Sequence, residues 1–286
     1  MLKEFMRNYA KNMGFAPDDA DYIADEDVDQ GLFTLSLNDV SLCTIAPYEK
    51  DGQNFALAVV GCGGADEESE LVVKAKALSA DFARYGNRKC DLIATMAEDK
   101  VLGFLARLSL DDCTQADFDD FMASLIYFVT VREDESFVPK YAEISTDLKP
   151  IDDFLREAGI DPDTLSNALD CIRLPDGPVV MVVKKPQQQE LIFRTMVKSG
   201  ASDKAIVDCL SANMSLLGRH FFSVDSSNNI FFQTPLQIKN KPEVFYDLLS
   251  THAGMSVDFA EALEKDEQAP KDEASLESNL SQFLMV

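Results

Sequence analysis

Apolar residues recur at steps of three and four through Leu2, Phe5, Met6, Tyr9 and Met13, with Lys3, Arg7 and Lys11 on other faces, which predicts an opening amphipathic helix. The period then falls to two. In "GLFTLSLNDVSLCTIAPY" (31–48) Phe33, Leu35 and Leu37 alternate with Thr34 and Ser36, and the pattern resumes at Val40 and Leu42 after an Asn38-Asp39 turn. A second turn at Asp51-Gly52 precedes "NFALAVVG", so three antiparallel strands lead to Gly61. From Glu68 to Tyr85 the residues Leu71, Ala75, Leu78, Phe82 and Tyr85 return to helical spacing, and Gly86 supplies the stop. "DLIATMAEDKVLGFLARLSL" (91–110) then reads as a hairpin, and Phe118, Met122, Leu125 and Val129 stripe a helix capped by Thr114 with Asp117 in its first turn.

After a linker over residues 136–147 the order begins again. "LKPIDDFLREAGI" predicts a short helix ended by Gly159, and strands follow around "DCIRL", "GPVVMVVKK" and "ELIFRTMV". A helix over Ala201 to Leu217 aligns Val207, Leu210, Met214 and Leu217. A second hairpin (220–238) carries Asn228-Asn229 where the first has Asp99-Lys100, and a final helix runs from Pro242 to about Leu263. The expected class is therefore α+β, with two tandem domains over residues 1–135 and 145–264, each a twisted antiparallel sheet packed with helices in the order α-β-β-β-α-β-β-α. One large continuous sheet is the alternative. Residues 265–286 read as an acidic, mobile tail in which Leu276, Leu280, Phe283 and Leu284 could form a docking strip.

Charge narrows the partners. Fifty Asp and Glu against 26 Lys and Arg give a net charge of −24, which repels phosphate backbones and anionic lipid, so neither nucleic acid nor membrane is expected. The acidity is uneven: residues 1–135 hold 12 basic and 27 acidic side chains, residues 136–264 hold 12 and 18. The six cysteines lack a CxxC pair and a nearby His, which argues for reduced thiols and no metal site. The N-terminus has no uninterrupted apolar core and no run is long enough to span a bilayer, so a cytoplasmic protein is expected.

Catalytic chemistry is thin. His220 and His252 are the two imidazoles, and neither sits in a motif with a Ser or Cys nucleophile, so each reads as a partly buried or surface histidine. "GCGG" (61–64) is followed by Asp66, Glu67 and Glu68, which suits a glycine-rich strand exit better than a phosphate loop. "APDDADYIADEDVD" lacks the spacing of a calcium loop and reads as a solvated acidic face. No enzyme activity and no cofactor are expected.

The stretches "LKEFMRNYAKNMGF", "ESELVVKAKALSADFARYG" and "DLIATMAEDKVLGFLARLSL", together with the order of elements and the acidity, resemble class I type III secretion chaperones, the Tir-chaperone family. The resemblance implies a non-enzymatic protein that holds an extended segment of a secreted effector; a regulatory or structural protein-binding module of the same fold, with no export client, is the alternative. Family members are homodimers built on the second helix, and this chain is about twice their length. Each copy would then stand for one subunit of a monomeric pseudo-dimer, with Leu71, Leu78 and Phe82 facing Val207, Leu210, Met214 and Leu217. For the client groove the expectation is Leu2, Phe5, Met6, Tyr9, Leu102 and Phe104, with ordinary core as the competing reading.

Overall fold

The strand segments assemble into two separate five-stranded antiparallel sheets, each packed with helices, and the strand order is the same in both. The computed structural model describes residues 1–14, 16, 32–37, 41–50, 52–65, 67–85, 90–97, 101–111, 113–131, 147–165, 171–175, 177–186 and 188–268. The chain divides into one unit of Met1–Asp66 with Ala77–Ala142 and a second of Glu67–Lys76 with Glu143–Val286. The expected linker lies outside the described residues for all but its last position, Asp147.

In the first half the elements are α1 (Leu2–Asn12), β1 (Phe33–Ser36), β2 (Leu42–Lys50), β3 (Gln53–Gly64), α2 (Glu68–Tyr85), β4 (Cys90–Met96), β5 (Val101–Ser109) and α3 (Gln115–Ile126). A π-helical turn, Tyr127–Val131, continues α3. The sheet order is β1-β2-β3-β5-β4, so the hairpin at 91–110 joins the three-stranded meander through its second strand. Lys50 lies opposite Gln53, and Gly52 takes the left-handed φ of 74° that a tight reversal favours.

The glycines at 61–64 are part of β3. Gly61 pairs with Gly103 and Gly64 with Val101, so β3 advances three residues where β5 advances two, a β-bulge with Gly63 at φ 95°. A Cβ on Gly103 would stand 2.3 Å from the Val60 carbonyl oxygen, which is why the strand has no side chain there. The Thr114 cap forms as a full capping box: Asp117 N–H donates to Thr114 Oγ1 at 3.2 Å and Thr114 N–H to Asp117 Oδ2 at 3.1 Å.

The second half repeats the plan with α4 (Lys149–Glu157), a 3-10 turn (Pro162–Leu165), β6 (Cys171–Arg173), β7 (Val179–Lys185), β8 (Glu190–Lys198), α5 (Asp203–Leu216), β9 (Phe221–Val224), β10 (Ile230–Gln237) and α6 (Val244–Gln268). Its sheet runs β6-β7-β8-β10-β9. Ile151, Phe154 and Leu155 of α4 and Phe245 and Leu249 of α6 pack with Val180, Val182, Leu191, Phe193 and Leu236 from the sheet. Buried Asn213 on α5 ties that helix to β9: its Nδ2 donates to Phe222 O at 3.0 Å and its Oδ1 accepts from Phe222 N–H at 2.7 Å. The Asp225 carboxylate shapes the β9–β10 turn, accepting from Ser227 N–H at 2.8 Å and Asn229 N–H at 3.0 Å, with Asn228 at φ 62°.

The end of the last helix and the buried face of α5 differ from expectation. The last helix continues past Leu263 to Gln268, because Ala262 and Leu263 are still buried and Lys265 reaches back to Glu261 at 3.4 Å. The segment read as tail thus begins inside a helix, and residues 269–286, with Leu276, Leu280, Phe283 and Leu284, lie outside the described residues. On α5 the buried face is Ala205, Ile206, Cys209, Leu210, Asn213 and Leu216, displaced from the stripe read off the sequence; Leu217 is the left-handed cap residue.

Asp91 and Arg107 are directly opposed on β4 and β5 and form an ion pair whose side chains are 5% and 3% exposed, with the guanidinium 5.2 Å from the Phe55 ring centroid. Removing one member leaves a buried charge without that partner. Asp91→Ala is expected to cost about 3 kcal/mol or more in chemical denaturation, while Asp91→Leu combined with Arg107→Leu recovers most of the loss. Equal losses in the single and double variants would show that leaving Arg107 without Asp91 carries no penalty.

Candidate functional site

Helix α1 presents two kinds of side chain to its surroundings. Leu2, Met6 and Ala10 are buried, whereas Phe5 and Tyr9, one step round the helix, are half-buried. Those two rings meet Phe118 of α3: Phe5 stacks on it with centroids 5.3 Å apart, and Tyr9 lies edge-on at 6.5 Å. Polar bonds fix the helices side by side. Gln115 Nε2 donates to the Phe5 carbonyl at 3.2 Å and to Asp119 Oδ1 at 2.8 Å, and Asn12 Nδ2 donates to Asp119 Oδ2 at 3.1 Å.

Beyond Phe118 the two helices leave a groove of about 340 Å³ lined by Tyr9, Asn12, Met13, Asp119, Ala123, Ile126 and Tyr127. The small Ala123 opens the floor, and Met13, 59% exposed, forms a flexible wall. The groove ends where α3 passes into its π-helical turn at Tyr127, a backbone irregularity that buries both Tyr127 and Phe128 in succession. Burial first, and the Asp119 carboxylate second, raise the Tyr9 phenol above its ordinary value, so its hydroxyl stays protonated at neutral pH. Asp119 is the charged group of the lining and is already held by two amide donors. An apolar trough with one fixed carboxylate and neutral polar tips can hold an apolar segment carrying a cationic residue.

The residues expected to bind a client are distributed unevenly about this trough. Tyr9 lines it. Leu2, Met6, Leu102 and Phe104 are 5%, 1%, 2% and 0% exposed and are occupied by packing within the unit, while Phe5 stands at the neighbouring stack. Asn12, Met13, Asp119, Ala123, Ile126 and Tyr127 were not singled out as site residues. Met13 carried a signal, as the last member of the α1 stripe, but Ala123 and Ile126 lie off the periodic face of α3 and acquire meaning only when α1 is laid beside it.

The second-helix stripes are placed as follows. Leu71 and Leu78 are fully buried, and Phe82 packs edge-on against Phe104 at 5.4 Å and Phe128 at 4.9 Å in the first unit. In the second unit Leu210 is buried, Val207 and Met214 are half-buried, and Leu217 is 37% exposed. The six cysteines are thiols and not disulfides; burial pushes Cys43 up to about 12 and raises Cys209 as well, which makes both poor nucleophiles. Among the described residues no cluster of three His, Cys, Asp or Glu side chains is placed to hold a metal ion, and no helix is long and apolar enough to cross a membrane.

No family model matches the chain, and no curated protein matches it. Among solved structures it is similar to the crystal structure of the Yersinia pestis type III secretion chaperone SycH in complex with a stable fragment of YscM2, with 14% identity and a TM-score of 0.31 over 44% of this chain and 94% of that one.

Proposed function

We propose that the protein is a cytoplasmic, non-enzymatic chaperone or adaptor that holds an extended segment of a secreted partner protein before type III export. The observation that carries the reading is the α1–α3 groove, an apolar trough with a fixed carboxylate. A segment held there gains apolar burial along the trough and a charge contact at Asp119, so the preferred client is apolar with an interspersed Lys or Arg. The net charge of −24 supports the same reading, since it keeps a protein with greasy surface soluble and favours a basic client. Resemblance of the α1, α2 and β4–β5 stretches to the type III secretion chaperones supplies the class of client.

The proposal includes the arrangement implied by duplication, in which domains 1–135 and 145–264 each stand for a subunit and the stripe Leu71, Leu78, Phe82 meets Val207, Leu210, Met214, Leu217. Covalent linkage would hold such partners at an effective concentration in the millimolar range, roughly, and satisfy both stripes within one chain. Sedimentation equilibrium is expected to give a concentration-independent mass near the 31.7 kDa of one chain. A stable mass of twice that would overturn the intramolecular pairing.

Ala123→Trp tests the groove. Ala123 is exposed on α3, so the indole fills the trough with little disturbance of the core. A partner retained from the native cell, mapped to an extended segment and bound at least tenfold more weakly by the variant at an unchanged thermal midpoint, is the expected result. Undiminished binding by the variant would remove the groove from the reading, and a chain that retains no such segment would favour the regulatory module without a client.

A further inference from the structure

His252 is fully buried on α6, yet both of its ring nitrogens are within hydrogen-bond distance of a hydroxyl. Nε2 lies 2.9 Å from Thr195 Oγ1 on β8 and Nδ1 lies 2.8 Å from Thr234 Oγ1 on β10. Thr234 Oγ1 is also 2.8 Å from Nδ1 of His220, the half-buried residue just before β9. Phe232 stacks on both imidazoles, with centroids 5.2 Å from His252 and 5.5 Å from His220. The four polar side chains therefore form one chain, His220–Thr234–His252–Thr195, and it contains every imidazole in the protein.

Hydrogen accounting limits what this chain can hold. Thr234 has one hydroxyl hydrogen for two histidines. With His220 charged, its Nδ1–H donates to Thr234, Thr234 donates to His252 Nδ1, and His252 Nε2–H donates to Thr195, so each bond has one hydrogen. With both histidines charged, both Nδ1–H groups point at the Thr234 oxygen and its own hydrogen loses its acceptor within the chain. The second charge would also lie on a ring with no contact with water.

We propose that this chain is an acid-sensitive latch of the second unit: it takes one proton at His220 with its bonds intact, and a second proton, on His252, releases α6 from the sheet. The groups facing His252 support the assignment. From β8 they are Thr195 and Phe193, from β10 Thr234 and Phe232, from the segment before β9 His220, and on its own helix Ser256, whose hydroxyl donates to the His252 carbonyl at 2.7 Å. Glu190 and Arg194 occupy the β8 positions that alternate to the other face, and Asp247, Asp258 and Glu261 on α6 are exposed. Burial, and secondarily the His220 charge, push His252 down from 6.5 to about 3. The folded value lies below the unfolded one, so the unfolded chain binds the extra proton. The stabilisation is complete above about pH 6.5 and is lost progressively as pH falls toward 3.

Hydrogen exchange on the full chain between pH 8 and 5.5 tests the latch, with exchange corrected for its intrinsic pH dependence. Below about pH 6.5 the opening constant of α6 amides is expected to rise about tenfold per pH unit, a one-proton slope, while α3 amides stay level. His220→Gln should keep the one-proton slope, because His252 is still excluded from protonation in the folded state. His252→Gln should abolish it. A flat profile in the unmodified protein overturns the latch, and a two-proton slope overturns the assignment of the first proton to His220. If His252→Gln fails to fold, the imidazole NMR signals of the unmodified protein decide, since one should titrate in the folded state and the other should not; titration of both overturns the proposal.

Discussion

Each unit depends on a single seam, where a two-stranded hairpin is joined to a three-stranded meander through the hairpin's second strand. That seam is β3 against β5 in the first sheet and β8 against β10 in the second. The joining strand becomes central, and the hairpin's first strand lies at the edge. In the first unit the consequence is a strand, Leu102 to Leu108, buried at every position on both faces. Burial on that scale demands close strand contact, and at the Gly61–Gly103 pairing there is no room for a Cβ on Gly103. Sequence composition at the seam is thus dictated by packing, and what distinguishes the units is the polar chemistry placed beside it.

The groove is a by-product of how α1 and α3 cover the first sheet. Each helix commits its own apolar face inward, Leu2, Met6 and Ala10 from one and Phe118, Phe121, Met122 and Leu125 from the other. Their flanks then meet through Phe5, Tyr9 and Phe118 at one end and separate at the other, where Ala123 is too small to close the gap. Asn12 and Gln115 both donate to Asp119, so the carboxylate is held rather than swinging free, and a cationic group approaching it meets an oriented partner at reduced entropic cost.

Period and turn chemistry made most of this architecture legible in the chain. The 91–110 and 220–238 hairpins, the Glu68–Tyr85 helix and the Thr114 capping box all follow from local pattern, since each depends on neighbours in sequence. The groove was legible only in its α1 half. Ala123 and Ile126 break no pattern and follow none; their role arises from the neighbouring helix, a relation over 100 residues long that no window contains. His252 was hidden for a similar reason. A histidine on a helix announces nothing, and the two threonines that receive it, Thr195 and Thr234, read as ordinary strand residues until β8 and β10 are paired. The end of α6 was misjudged because acidic composition after Leu263 suggested solvent, whereas Ala262, Leu263 and the Glu261–Lys265 pair continue the helix.

Each joining strand, β5 in the first sheet and β10 in the second, carries a buried polar group, and the two differ in chemistry. In the first unit Asp91 and Arg107 are directly opposed across β4 and β5. In the second, Thr195 faces Phe232 and Thr234 faces Phe193, so the threonines lie on a diagonal that the His252 ring spans. A one-residue slip of either strand pair would send one partner to the opposite face of the sheet. Apolar positions on a strand buried on both faces tolerate such a slip far better, because hydrophobic burial is indifferent to which apolar neighbour it meets. The buried polar groups therefore set register where the apolar pattern is weakest. They differ in protonation chemistry: the carboxylate–guanidinium pair bonds in its charged form, whereas the histidine keeps both of its bonds only while it stays uncharged. The two copies of one topology thus hold buried polar groups of opposite kind, a charged pair in the first and a neutral chain in the second, and the second is the copy that holds both imidazoles.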